Sequence, residues 1–157
     1  MSHAIENVGD YPRPPKLERF PHPIRIVLGG IEIVNTTDSW RVLETFHPPT
    51  YYIPHNAFLD GAIQKADGRS LCEWKGQASY FSLTAGGKTA TRCAWAYANP
   101  TPVFQPIANH LALYVAAMDA CFVDGEQAKP QPGGFYGGWV NSWITGPIKG
   151  APGTTHW

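Results

Sequence analysis

A mainly β chain of antiparallel sheets, with one or two short helices, is the fold class this sequence predicts, and three observations carry it. β-branched and aromatic residues recur in short runs, paired glycines or prolines punctuate those runs, and aromatics make up 13% of the 157 residues. That length suits a single hydrophobic core, because a domain of this size removes roughly 70% of its unfolded surface from water without needing disulfides or a structural metal.

Residues 1–23 carry Pro12, Pro14, Pro15, Pro21 and Pro23 and no apolar period, so they read as a Pro-rich N-terminal arm, extended on the surface or on a partner. A β-rich core domain follows over residues 24–128. It opens with two β-branched runs, 24–28 and 31–34, around Gly29-Gly30, which is a hairpin pattern. Residues 39–46 form a third strand, with Trp40, Val42, Glu44 and Phe46 on one face. Pro48-Pro49 ends it, because neither residue donates a ladder hydrogen bond, and residues 50–53 restart β structure until Pro54.

A short helix is expected within 56–65. Residues 69–74 and 78–84 are rich in strand formers, and Ala85-Gly86-Gly87-Lys88 turns the second run into 89–96 as a second hairpin. Over 106–117, Ile107, Leu111, Tyr114 and Val115 stand at helical spacing, with Pro106 suited to a first turn, so a helix is predicted there. Cys121-Phe122-Val123 and Asp124-Gly125 give a last strand and its turn. Residues 129–157 form a Gly/Pro/aromatic tail. Its Phe135, Tyr136, Trp139, Trp143 and Trp157 each gain roughly 1.5–3 kcal/mol on burial, so the tail is expected to pack on the core.

Charge and motif exclude several functions. Twelve basic and 12 acidic residues with a pI near 7.0 leave no broad field to attract nucleic acid or an anionic membrane, so neither is expected as a partner. No apolar run approaches the ~18 residues of a membrane span, and residues 1–7 lack the basic-then-apolar order of a secretory signal. Cys72, Cys93 and Cys121 are odd in number and contain no Cys-x-x-Cys pair, which suits free thiols in a cytoplasmic protein. The phosphate-binding Gly-x-x-x-x-Gly-Lys loop, the Gly-x-Ser-x-Gly elbow and the His-Glu-x-x-His helix are all absent. No cofactor is expected, and a metal held by His47 and Cys72 has no spacing to support it.

The remaining chemistry lies in polar residues set among aromatics. Glu44 and His47 flank a rigid Pro48-Pro49, where burial would raise a carboxyl pKa toward neutrality and supply an acid or base. On a regular strand the two would face opposite sides, so they share a site only through a bend at the prolines; otherwise Glu44 pairs with a nearby Arg or backbone amides and His47 caps the strand. Cys72-Glu73-Trp74-Lys75-Gly76 places a thiol beside a cation that favours the thiolate or binds an anionic group, unless Cys72 is simply packed. Tyr51, Tyr52, Trp74, Tyr80, Phe81, Trp95 and Tyr97 alternate on predicted strands, as core or as pocket lining.

These stretches, Arg41-Val42-Leu43-Glu44-Thr45 with His47-Pro48-Pro49, Tyr51-Tyr52-Ile53-Pro54, Cys72 to Gly76 through Ala78-Ser79-Tyr80, and Ala94-Trp95-Ala96-Tyr97 with Pro100, together resemble domain-of-unknown-function family 427 over about residues 24–126. The tail from Pro132 to Trp139, with Gly146-Pro147 and Lys149-Gly150, is similar to the extension of cyanobacterial and plant-type members. The resemblance implies a single β-tent-like domain. Relatives of that fold pin their sheets with a four-Cys zinc site, whose paired cysteines are missing here. Some members carry a nucleotidyltransferase label, but the Gly-Ser turn and paired Asp residues of such enzymes are missing too.

The expectation is a pocket between sheets. Tyr52, Trp74, Tyr80, Trp95 and Tyr97 would bind a small-molecule ligand, and Glu44, His47, Cys72 and Lys75 would supply catalytic groups for hydrolysis or group transfer. The alternatives are a non-catalytic ligand- or protein-binding module and a scaffold that forms a homodimer through arm or tail.

Overall fold

The computed structural model describes residues 3–72, 74–133 and 136–150. Glu73 of the Cys72–Gly76 motif, and Phe135 and Trp157 of the tail, lie outside the described residues. The described chain is mainly β, with only short 3-10 turns as helical structure.

In chain order the strands are β1 (Glu6–Asn7), β2 (Lys16–Phe20), β3 (Ile24–Leu28), β4 (Ile31–Thr36), β5 (Ser39–Leu43), β6 (Thr50–Pro54), β7 (Ile63–Cys72) and β8 (Gly76–Ala85). They continue as β9 (Lys88–Ala96), β10 (His110–Leu113), β11 (Ala120–Val123), β12 (Glu126–Gln127), β13 (Lys129–Pro130), β14 (Trp139–Val140) and β15 (Ile144–Thr145). A seven-stranded antiparallel sheet runs β2-β5-β6-β10-β9-β8-β7, and a four-stranded one runs β12-β11-β3-β4. Two small pairs, β1 with β15 and β13 with β14, tie the N-terminal and tail segments down.

The main core combines Ile24, Ile26 and Leu28 of the small sheet with Tyr51, Ile53, Leu83, Leu111 and Leu113 of the large one. Successive strand residues point to opposite faces, so Tyr52 and Ala112 enter a second cluster on the other side, with Val42, Tyr97, Phe104 and Ile107. Burial on both faces is why β6 and β10 read as unbroken apolar runs.

Within the Pro-rich segment, β2 is the edge strand of the large sheet, and Val8, Tyr11 and Phe20 join the main core. In the tail, Trp139 and Trp143 do the same. Arg41 is buried and grips Glu6 through two hydrogen bonds of 3.1 and 3.0 Å, with Glu18 at 3.4 Å.

Both hairpins form with their two-glycine turns, and the turns meet. A Cβ on Gly29 (φ +59°) would lie 2.0 Å from the Ala85 carbonyl oxygen, and one on Gly86 (φ +58°) would lie 2.0 Å from the Gly29 oxygen. Asp119 links the two, accepting from the Gly30 amide at 2.8 Å and from Lys88 Nζ at 3.1 Å.

Neither predicted α-helix is present. Residues 56–65 hold a 3-10 turn (His55–Ala57), Gly61 at φ +82° and then the start of β7. Residues 106–117 hold the end of a 3-10 turn (Pro102–Ile107), Asn109 at φ +59°, strand β10 and a further 3-10 turn (Val115–Ala117). A helix cannot run through a left-handed residue, and β10 satisfies its backbone by pairing with β6 on one side and β9 on the other.

Candidate functional site

The cavity expected between the sheets lies elsewhere, because the main core fills the space between them. About 360 Å³ in volume, it is on the side of the large sheet away from that core, and all nine residues singled out from the sequence line it: Glu44, His47, Tyr52, Cys72, Trp74, Lys75, Tyr80, Trp95 and Tyr97. They arrive in groups. Tyr52 and Trp95 project from adjacent parts of the sheet onto one face, while Cys72, Trp74 and Lys75 come from the β7–β8 turn. That turn is fixed from outside, because Thr101 donates its amide to the Lys75 carbonyl at 2.9 Å and its hydroxyl to the Trp74 carbonyl at 2.6 Å.

Glu44 and His47 reach the same cavity because the strand stops early. β5 ends at Leu43, Phe46 adopts φ +69°, and the His47 amide donates to the Glu44 carbonyl at 2.9 Å. The required bend therefore falls just before the prolines. Phe46 and its neighbours are held from both sides, the Phe46 amide donating to Val8 and its carbonyl accepting from the Lys149 amide. None of the ion pairs among the described residues includes Glu44; the nearby Arg41 is engaged by Glu6 and Glu18 instead.

The tail supplies a wall that sequence reasoning missed, with Gln131, Tyr136, Gly137 and Lys149 in the lining. Gln131 is buried and its orientation is determined by its partners: Oε1 accepts from the Gly138 amide at 3.1 Å and Nε2 donates to the Lys149 carbonyl at 2.8 Å. With the amide nitrogen thus placed, its contact of 3.1 Å with His47 Nδ1 makes that ring nitrogen the acceptor. His47 is then the neutral tautomer with its proton on Nε2. Burial lowers the His47 pKa below its ordinary value, the charges of Lys149 and Arg13 act the same way, and Glu44 opposes them. Gly137 allows close approach, since a Cβ there would lie 2.2 Å from Trp95 Cη2. No local pattern marks these residues, because a glutamine in a Gly/Pro tail signals nothing until it is folded over His47. Val42, Thr50, Ser70 and Tyr114 complete the lining.

Tyr52 and Tyr97 have their hydroxyl pKa values pushed well above the ordinary tyrosine range by burial, so both stay neutral. Tyr80 is held differently, donating to Ser70 Oγ at 3.0 Å under the Arg92 guanidinium at 4.8 Å from its ring. Lys75 is 8% exposed, and its ammonium lies 6.0 Å from the Tyr97 ring and 5.7 Å from the Phe104 ring. Among the described residues it has neither a hydrogen-bond acceptor nor an ion-pair partner. The described lining thus sets two ammonium groups, Lys75 and Lys149, against the single carboxylate of Glu44.

Fold and site together define a class: a two-sheet antiparallel β domain whose large sheet carries an aromatic, cation-bearing cavity on its outer face. The family described as a domain of unknown function, DUF427, matches residues 16–124, and the chain belongs to it. No curated protein matches the sequence. Among the described residues, no helix is long and apolar enough to cross a membrane.

Proposed function

We propose that the cavity binds a small molecule presenting an anionic group to Lys75 and a flat apolar body to Trp74, Trp95 and Tyr97. The observation that carries this reading is the Lys75 side chain, 8% exposed, whose ammonium lies at the cavity beside aromatic rings with no acceptor among the described residues. Ring faces attract an ammonium without neutralising it, so an anion entering the cavity supplies the counter-charge that the fold leaves out. The volume of about 360 Å³ is at the small end of ligand pockets and suits a single-ring molecule rather than a polymer.

The test is titration with phenyl phosphate and benzoate, read by tryptophan fluorescence, since Trp74 and Trp95 line the cavity. Saturable quenching that Lys75→Met weakens at least about tenfold is expected, given about 1.5–3 kcal/mol for a charge-assisted hydrogen bond. Quenching that Lys75→Met leaves unchanged overturns the reading. Native mass spectrometry of the protein as purified would identify any retained ligand and count the chains.

A second reading, acid/base chemistry on the bound molecule, is favoured by a carboxylate and an imidazole on one wall. Because Nδ1 of His47 accepts from Gln131, its Nε2–H is a hydrogen-bond donor and Glu44 is the candidate base. Glu44→Gln should then abolish turnover and keep binding, whereas Trp95→Phe should weaken binding. In a pure binding module Trp95→Phe matters and Glu44→Gln does not.

A further inference from the structure

We infer that His3, His22 and Asp124 form a site for one divalent transition-metal ion of the zinc class, separate from the cavity. The three come from the N-terminal segment, the β2–β3 connection and the turn after β11, and one ligand atom from each lies within 4.8 Å of the others. His3 Nε2 is 2.8 Å from Asp124 Oδ2, and His22 Nδ1 is 3.9 Å from the same oxygen. A tetrahedral ion at about 2.0–2.1 Å from nitrogen and oxygen ligands sets those ligands about 3.3–3.4 Å apart, so the two separations to Asp124 fall on either side of the required one and the third, within 4.8 Å, closes by a small side-chain shift. None of the three residues lines the cavity.

The ligands are also held in place. The His3 ring stacks on Trp143 at 4.4 Å and meets His22 edge-on at 4.8 Å, and Phe20 lies against His22 at 5.1 Å. The Asp124 amide donates to the Pro23 carbonyl at 2.8 Å, which joins the aspartate's turn to the residue after His22. The Glu6 amide donates to the Trp143 carbonyl at 2.8 Å and fixes the segment carrying His3. A shared cation accepts a lone pair from all three, and water or an exogenous group completes its coordination. Cysteine spacing and His-Glu-x-x-His patterns are blind to such a site, which three remote segments assemble.

The test uses the untagged full-length chain stripped of metal and titrated with Co²⁺, whose visible absorption reports coordination, followed by competition with Zn²⁺. One equivalent per chain is expected, with His22→Ala and Asp124→Asn each weakening it at least about tenfold, His47→Ala leaving it unchanged, and Zn²⁺ raising the melting temperature of the parent only. Asp124→Asn keeps an oxygen facing His3, so loss of binding in a variant that melts like the metal-free parent reports ligation rather than misfolding. Absence of saturable uptake, uptake that both variants retain, or uptake that His47→Ala abolishes overturns the assignment.

Discussion

The three thiols in this chain sit in two environments. Cys72 is half-buried at the cavity, whereas Cys93 and Cys121 are buried in the core. Burial pushes the Cys93 thiol up to about 11 and the Cys121 thiol up to about 12, so neither forms thiolate near neutrality. Iodoacetamide at pH 8 should alkylate Cys72 in the native protein and reach the other two only after unfolding; peptide mass spectrometry would read this. His47 gives a second residue-level expectation. Its folded pKa lies below the ordinary 6.5, first because of burial, so the unfolded chain takes up the proton at higher pH than the folded one. Its contribution to stability is therefore whole above about pH 6.5 and is lost as pH falls from there toward the folded value. The stability difference between the parent and His47→Gln, measured by urea unfolding, should be flat above pH 7 and change against the parent below pH 6.5. A difference that stays constant down to pH 5 would refute this.

At the scale of elements, the meeting of the two glycine turns makes a graded test. Gly29 and Gly30 both have positive φ, at +59° and +76°, but a Cβ on Gly30 meets nothing within 4 Å whereas one on Gly29 collides with Ala85. Gly30→Ala should cost about 1 kcal/mol for the left-handed backbone alone. Gly29→Ala should cost clearly more, because backbone must move, and equal losses in urea melts would mean the turns do not touch in solution. Elements also set what was legible in the sequence. The hairpins were readable because β-branched runs and Gly-Gly turns are local signals. Strand β10 was not, because Leu111, Ala112 and Leu113 are buried on both faces, and an apolar run without alternation fits a helix as well as a central strand. The bend that brings Glu44 and His47 together is expected from the sequence at the prolines; it falls instead at Phe46, where contacts with Val8 and Lys149, far away in sequence, hold it.

At the scale of the whole molecule, the aromatic and polar candidates were legible as a set, but the wall that positions them was not. The family match ends at residue 124, while Gln131, Tyr136 and Lys149 reach the cavity from beyond it. The tail therefore contributes to both the core and the cavity wall. Trp139 is 1% exposed, packs edge-on against Tyr51 with ring centroids 5.0 Å apart, and donates its amide to the Pro49 carbonyl at 2.8 Å. Trp143 and Ile144 are buried in the same core. Each such side chain is worth about 1.5–3 kcal/mol of burial, and three of them together are comparable with the lower half of the ~5–15 kcal/mol by which a domain is stable. A chain ending at Ala128 should lose most of its cooperative urea transition, whereas Gln131→Ala in the full chain should keep that transition and act on the cavity alone. In the latter variant Nδ1 of His47 loses its donor and the ring is free to exchange tautomers, which ¹⁵N chemical shifts of the imidazole would report. A chain ending at Ala128 that melts like the full-length protein, with His47 still in one tautomer, would show that the β-rich core builds its site without the tail.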